Sequence, residues 1–142
     1  MMSPRPTSMT TYSSTPLVKK LGIKENARIL LVEAPDDFLE ELDPLPPGVS
    51  INRPPLRSLD LVLLFVKTRS QLAKSFSKLA GKLSPAGMLW VAWPKKASGV
   101  ATDLSFDSVQ KEGLSAGLVD TKICAINEIW SGLKFVIRLK DR

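Results

Sequence analysis

Six consecutive apolar residues, Leu61-Val62-Leu63-Leu64-Phe65-Val66, constrain this chain more than any other feature. A strand with one wet face alternates apolar and polar side chains, whereas a run without alternation needs cover on both faces. Two other stretches behave the same way: the shorter Ile29-Leu30-Leu31-Val32, and Met88 through Trp93. The pattern predicts buried parallel strands over residues 27–34, 59–66 and 88–93, with helices on both sides of them.

The segments between these runs supply helices and stops. Leu72, Phe76, Leu79 and Leu83 fall on one face of a predicted helix over 70–83, and Lys74, Lys78 and Lys82 line the opposite face. We read the lysines as a solvated face. Residues 84–87, Ser-Pro-Ala-Gly, are expected to be a turn, and residues 95–102 a loop. A helix over 105–116 takes Ser105 as its N-cap, with Asp107 in its first turn. A short helix over 17–21 is expected to start from Thr15 as N-cap and Pro16 as first residue, and to end at Gly22. Another short helix starts at Pro35-Asp36-Asp37, with the two acids in its first turn, and runs to Leu42. Residues 49–52 form a weak strand. Val119, Thr121, Ile123 and Ala125 alternate with Asp120, Lys122 and Cys124, and residues 133–139 alternate likewise. Strict alternation marks an antiparallel, half-exposed hairpin. The sum is a Rossmann-like α/β fold: a doubly wound, mostly parallel sheet of about six strands with an antiparallel C-terminal hairpin. Residues 1–14, rich in Ser, Thr, Pro and Met, are expected to be a disordered tail, with Met9 as an alternative start. Residues 15–142 are expected to form a single domain.

Composition excludes several chemistries. The chain has no histidine, so no Ser-His or Cys-His nucleophile pair can exist. Cys124 is the single cysteine, so neither an internal disulfide nor a Cys-cluster metal site can form. In mid-strand it reads as a small apolar residue and not as a reactive thiolate. No apolar run approaches the ~18 residues of a membrane span. The net charge is +6, and Arg5, Lys19, Lys20 and Lys24 all precede the first acid, Glu25. A charge excess concentrated at one end argues against a nucleic-acid binder.

Two resemblances are carried by particular residues. The order strand, helix, Leu83-Ser84-Pro85-Ala86-Gly87, strand, helix, hairpin resembles the carboxyl half of a class I S-adenosylmethionine-dependent methyltransferase, in truncated form. That family binds its cofactor at a glycine-rich turn after the first strand. Here that stretch reads Val32-Glu33-Ala34-Pro35-Asp36-Asp37-Phe38, and no glycine occurs from Ile23 to Pro47. A backbone without glycine is not expected to make that turn or admit a cofactor closely, so no cofactor is assigned. The family's third strand has no counterpart, and Lys67-Thr68-Arg69-Ser70 follows Val66 in place of an Asn-Pro-Pro-Tyr-like motif. Three further stretches resemble the bacterial family known as domain of unknown function 3052: residues 12–24 (Tyr-Ser-Ser-Thr-Pro-Leu-Val-Lys-Lys-Leu-Gly-Ile-Lys), 90–99 (Trp-Val-Ala-Trp-Pro-Lys-Lys-Ala-Ser-Gly) and 127–134 (Asn-Glu-Ile-Trp-Ser-Gly-Leu-Lys). This resemblance implies a small bacterial cytoplasmic protein and supplies no activity.

Ligands of open α/β sheets bind beyond the carboxyl ends of the strands. The loop after residue 93 therefore offers Lys95, Lys96, Ser98 and Gly99 as a cradle for a phosphate or carboxylate. Glu33 ends the first strand and can bond a ribose or an amine. Trp90 and Trp93 face opposite sides, with Trp93 placed to rim a pocket. Trp130, in the hairpin turn, either packs back on the sheet or anchors a partner protein. No catalytic residue and no metal ligand is assigned. The expected function is a non-catalytic binding or regulatory module with a protein or small anionic partner. The alternative is a methyltransferase-related enzyme that binds an anionic or nucleotide-like molecule.

Overall fold

The computed structural model describes residues 15–142, so the expectations for residues 1–14 lie outside the described residues. The elements in chain order are α1 (Leu17–Leu21), β1 (Arg28–Val32), α2 (Phe38–Glu41), β2 (Ser50–Ile51), β3 (Leu59–Phe65), α3 (Arg69–Ala80), β4 (Leu83–Pro94), α4 (Phe106–Ser115), β5 (Leu118–Ala125) and β6 (Trp130–Ile137). Single 3-10 turns cover Lys96–Ser98 and Leu139–Asp141. The six strands form one sheet in the order β2-β1-β3-β4-β6-β5. The first four are parallel, and β6 and β5 are antiparallel to their neighbours.

The apolar run sits where a doubly covered strand must sit. β3 lies between β1 and β4, and from Leu61 onward its residues divide by parity. Val62, Leu64 and Val66 join a cluster with Leu72, Phe76 and Leu79 of α3 and Val109 of α4. Leu61, Leu63 and Phe65 join a second cluster with Val18 and Leu21 of α1 and Phe38 of α2. Each buried Leu, Val or Phe contributes about 1.5–3 kcal/mol. The two tryptophans of β4 divide likewise: Trp90 enters the α1/α2 cluster and Trp93 the α3/α4 cluster. Trp90 donates its indole N–H to the Leu21 carbonyl at 3.0 Å, which fastens the end of α1 to the sheet. Phe76 meets Phe135 edge-on, with ring centroids 5.1 Å apart.

Local chemistry moved several boundaries. α3 starts one residue early because Thr68 and Gln71 form a capping box: Thr68 Oγ1 accepts from Gln71 N at 3.1 Å, and Gln71 Oε1 accepts from Thr68 N at 3.2 Å. It also ends early, since Leu83 already pairs with Leu59. The expected turn over 84–87 is instead an irregularity within β4, because the next pair in register is Leu61 with Met88. A Cβ on Gly87 would stand 2.5 Å from the Leu59 carbonyl oxygen, so only glycine lets this bulge lie against β3. Pro16, not Thr15, occupies the N-cap position of α1. Asp37 is the N-cap of α2 without a side-chain bond, so its first-turn acids are Glu40 and Glu41 rather than Asp36 and Asp37. β5 shifts register between Asp120 and Lys122, which breaks the alternation expected there. Past that bulge Ile123 is 54% exposed, and Cys124 packs on the α1/α2 cluster. β2 stops after two residues because Asn52 takes a left-handed φ of 57° and its Oδ1 accepts the Leu31 N–H at 2.7 Å.

One close approach yields a test. A Cβ on Gly113 of α4 would lie 2.0 Å from the Phe135 ring, which is itself fully buried. Gly113→Val is expected to lower stability by about 1–3 kcal/mol through overpacking, read by urea denaturation. An unchanged midpoint would mean that α4 does not pack this closely on β6.

Candidate functional site

The strand order fixes where a cleft can open. The chain leaves β1 toward β2 on one side, while β3 and β4 build the sheet on the other. Connections therefore diverge at the carboxyl ends of β1 and β3, which is the position where open α/β sheets leave a crevice. A cleft of about 430 Å³ lies there. Glu33 and Pro35 enter it from the turn after β1, and Phe65, Val66 and Lys67 from the end of β3. Gln71 comes from α3, Val100 from the loop after β4, and Ile129 and Trp130 from the hairpin. A second recess of about 230 Å³ shares Glu33, Phe65, Val66 and Gln71, and continues to Lys74 and Ser75 of α3.

The turn after β1 is made without glycine. Glu33 itself takes the left-handed conformation, with φ of 59°, and its side chain is exposed at the cleft. The expectation that the chain could not turn here is corrected: a glutamate supplies the φ that glycine would have supplied. Such a conformation is uncommon for a residue with a Cβ and occurs more often at functional sites. The carboxylate of Glu33 and the ammonium groups of Lys67 and Lys74 have no hydrogen bond or ion pair among the described residues. They are free to meet a ligand.

The hairpin wall is rigid. Asn127 Oδ1 accepts the backbone N–H groups of Ile129 and Trp130, both at 2.9 Å. Asn127 Nδ2 donates to Glu41 Oε1 at 3.0 Å, which ties the turn to α2. Trp130 is 7% exposed and meets Phe65 edge-on at 5.0 Å, and Phe65 meets Phe38 edge-on at 4.9 Å. Of its two expected placements, Trp130 takes the packed one: it backs the cleft and is no protruding anchor for a partner.

The loop after β4 is fastened beside the end of β3. Thr102 Oγ1 donates to the Lys67 carbonyl at 2.6 Å, and Asp103 Oδ1 accepts the Arg69 N–H at 2.8 Å. Inside the loop, Ser98 Oγ donates to the Lys95 carbonyl at 2.6 Å and accepts from Val100 N at 3.2 Å. Gly99 has φ of 77° and closes the 3-10 turn. The Ser98 hydroxyl thus holds the turn. Lys95, Lys96, Ser98 and Gly99 stand beside the cleft and are not among its lining residues, whereas Val100 is. Trp93 is buried in the α3/α4 cluster, on the opposite face of the sheet from Trp90, and is not among the residues lining the cleft. The structure therefore brings Glu33 and Trp130 together and leaves the lysine loop adjacent. Lys67 and Gln71 were missed by sequence reasoning. Their signal was available: they follow the carboxyl end of the strongest strand, where the same rule applied to the loop after β4 also holds.

Burial raises the Cys124 thiol above its ordinary pKa, with Lys122 and Lys20 acting in the opposite direction. Among the described residues no group of three or more His, Cys, Asp or Glu side chains could hold a metal ion, and no helix is long and apolar enough to cross a membrane.

Comparison with known proteins gives likeness of fold. No family model and no curated protein matches the chain. Among solved structures it is similar to an S-adenosylmethionine-dependent methyltransferase from Aquifex aeolicus, with a TM-score of 0.64, 13% identity, and 86% of this chain and 88% of that one covered. It is similar to Aeropyrum pernix fibrillarin with natively bound S-adenosyl-L-methionine (TM-score 0.61, 16% identity, 85% and 72% covered). It is also similar to precorrin-6y C5,15-methyltransferase from Geobacter metallireducens (TM-score 0.62, 9% identity, 86% of each). The Rossmann-like methyltransferase fold expected from the order of elements is thereby supported, and the resemblance to domain of unknown function 3052 rests on its three stretches alone.

Two outcomes follow from the wall and the thiol. Trp130→Ala is expected to cost about 3–5 kcal/mol in urea denaturation, the loss typical of a buried tryptophan. A loss below about 0.5 kcal/mol would fit an exposed anchor instead. Cys124 is expected to react with iodoacetamide at pH 8 more slowly in the folded protein than in urea, because a raised pKa leaves less thiolate. Equal rates would contradict the burial.

Proposed function

We propose that this chain is a methyltransferase-related enzyme that binds a small nucleotide-like or anionic molecule in the cleft at the ends of β1 and β3. The observation that carries this reading is a cleft at the switch point of the sheet with unpartnered carboxylate and ammonium groups on its walls. The likeness to methyltransferase structures supports it at the level of fold, which is analogy and not a site argument. The non-catalytic reading drew on the missing glycines, and the left-handed Glu33 weakens that argument by supplying the φ a glycine would have taken. Helices cover both faces of the sheet, which supports reading it as doubly wound. The bacterial cytoplasm remains the proposed location, on the resemblance of the three stretches.

S-adenosylmethionine is the group this fold implies, and the residues present fit it. The cleft lies within the roughly 300–1,000 Å³ common for small-molecule sites. Glu33 accepts from a ribose hydroxyl or an ammonium, and Lys67 meets a carboxylate. Val66, Val100 and Ile129 shield an apolar ring from water, with Trp130 behind them. When bound, the group supplies an electrophilic methyl. The protein's own part is to hold and orient it and keep water away. Lys95 and Lys96 stand at the rim and add to the positive field there.

The test is a thermal-shift series with S-adenosylmethionine, S-adenosylhomocysteine, ATP, NAD and inorganic phosphate. A ligand at about 100 times its Kd adds roughly 2.7 kcal/mol, a rise of about 5–10 °C at this size. Glu33→Gln is expected to fold normally and to weaken binding about tenfold. A flat series on well-folded protein would refute the reading.

A further inference from the structure

We infer that the amino-terminal end of the sheet docks on an anionic lipid bilayer, through exposed leucines set among basic side chains. The inference does not depend on the reading of the cleft, which opens at the opposite end. In the sequence, basic residues gather before Glu25; the fold gathers a second set from distant positions. Arg53 and Arg57 belong to the loop that leads into β3, Lys78 to the last turn of α3, and Lys82 to the step before β4. Arg138 and Lys140 follow β6, which runs antiparallel to β4 and so ends on the same side. Lys24, Arg28, Lys111 and Arg142 balance the acids of this end, Glu25, Asp60, Glu112 and Asp141, so those six positive charges stand in excess. None of the six makes an ion pair among the described residues.

Three leucines stand in the same region, each presented by a fastened segment. The Arg28 guanidinium donates to the carbonyls of Arg53, Pro55 and Arg57, the last at 2.7 Å, and so holds the loop carrying Leu56, which is 37% exposed. Arg138 Nε donates to the Gly117 carbonyl at 3.3 Å, which sets the turn after β6 beside the end of α4. Leu139 in that turn is 80% exposed, and Leu114 in α4 is 42% exposed. A leucine gains nothing against a nucleic-acid backbone, whereas it enters the boundary between headgroups and acyl chains while arginine and lysine attract the anionic headgroups around it. The one exposed aromatic among the described residues, Phe106, starts α4 at the other end, so this end offers no ring on which a single strand would stack. Leu39, Phe106, Ile123 and Ile129 are also exposed, but toward the carboxyl end. There Glu33, Asp36, Asp37, Glu41, Asp103 and Glu128 outnumber Lys67, Arg69, Lys95 and Lys96 and repel an anionic surface. Attachment by the amino end needs no spanning helix and leaves the cleft open to water.

Vesicle co-sedimentation of the full chain at about 100 mM salt tests this. Vesicles of phosphatidylglycerol and phosphatidylcholine in equal parts are expected to bind the protein at least about tenfold more strongly than phosphatidylcholine alone. Arg53→Gln with Arg57→Gln is expected to weaken that binding about tenfold or more, and Leu56→Ser with Leu139→Ser about fivefold or more. Lys95→Gln with Lys96→Gln removes the same charge from the opposite end and is expected to change it by less than about twofold. Arg53 and Arg57 hold Arg28 by their backbone carbonyls, so their side chains can be replaced without releasing the loop. Leu139→Ser alone, at the most exposed of these positions, carries the leucine test if the double variant melts lower. Absence of binding to the charged vesicles overturns the inference. So does an equal loss from the Lys95 and Lys96 pair, which would be an effect of net charge alone. Leucine variants that bind vesicles like wild type overturn the lipid assignment, and duplex DNA bound with the same dependence on Arg53 and Arg57 would then identify the surface as one for nucleic acid.

Discussion

Burial of β3 on both faces is the constraint from which the rest of the structure follows. Leu61, Leu63 and Phe65 need one apolar layer, and Val62, Leu64 and Val66 need another. A two-stranded or one-sided arrangement leaves one set in water, at about 25 cal/mol per Å² of apolar surface. β3 therefore has a parallel neighbour on each side, β1 and β4, with α1 and α2 above one face and α3 and α4 above the other. The central position of β3 also places its carboxyl end, Val66 and Lys67, at the point where the connections diverge.

The cleft is a consequence of that packing. Parallel strands all present their carboxyl ends on one side, so the segments leaving them gather there. What keeps the cleft's walls in place is a set of hydrogen bonds between segments far apart in sequence. Thr102 and Asp103 fasten the loop after β4 to the β3–α3 junction, and Asn127 fastens the hairpin turn to α2. The aromatic series Phe38, Phe65, Trp130 continues the α1/α2 core up to the cleft, so its hairpin wall is an extension of the core. Glu33 is exposed and left-handed at the cleft, and its carboxylate has no partner among the described residues.

Legibility of the site in the sequence followed the same division. Glu33 was readable because it directly follows an unmistakable strand. The lysine loop was readable as a strand-end loop, yet its Ser98 hydroxyl holds the turn and its Val100, not its lysines, reaches the cleft. Trp130 was ambiguous in a hairpin turn, because local sequence does not say whether an aromatic folds inward. Phe65, on another strand and 65 positions earlier in numbering, decides it. Lys74 looked identical to Lys78 in periodicity and differs only by what lies beside it.

Sequence by itself determined the element types and the layers: unbroken apolar runs demand double cover, alternation marks the edge hairpin, and Ser105 starts the last long helix. These are properties of neighbours within a few residues, where backbone geometry sets which side chains share a face. Tertiary structure decided the strand order, the bulges at Gly87 and Thr121, and the company each polar group keeps at the cleft. Those depend on contacts between residues tens of positions apart. Which of several similar lysines or tryptophans meets them is set by packing, and packing has no local signature.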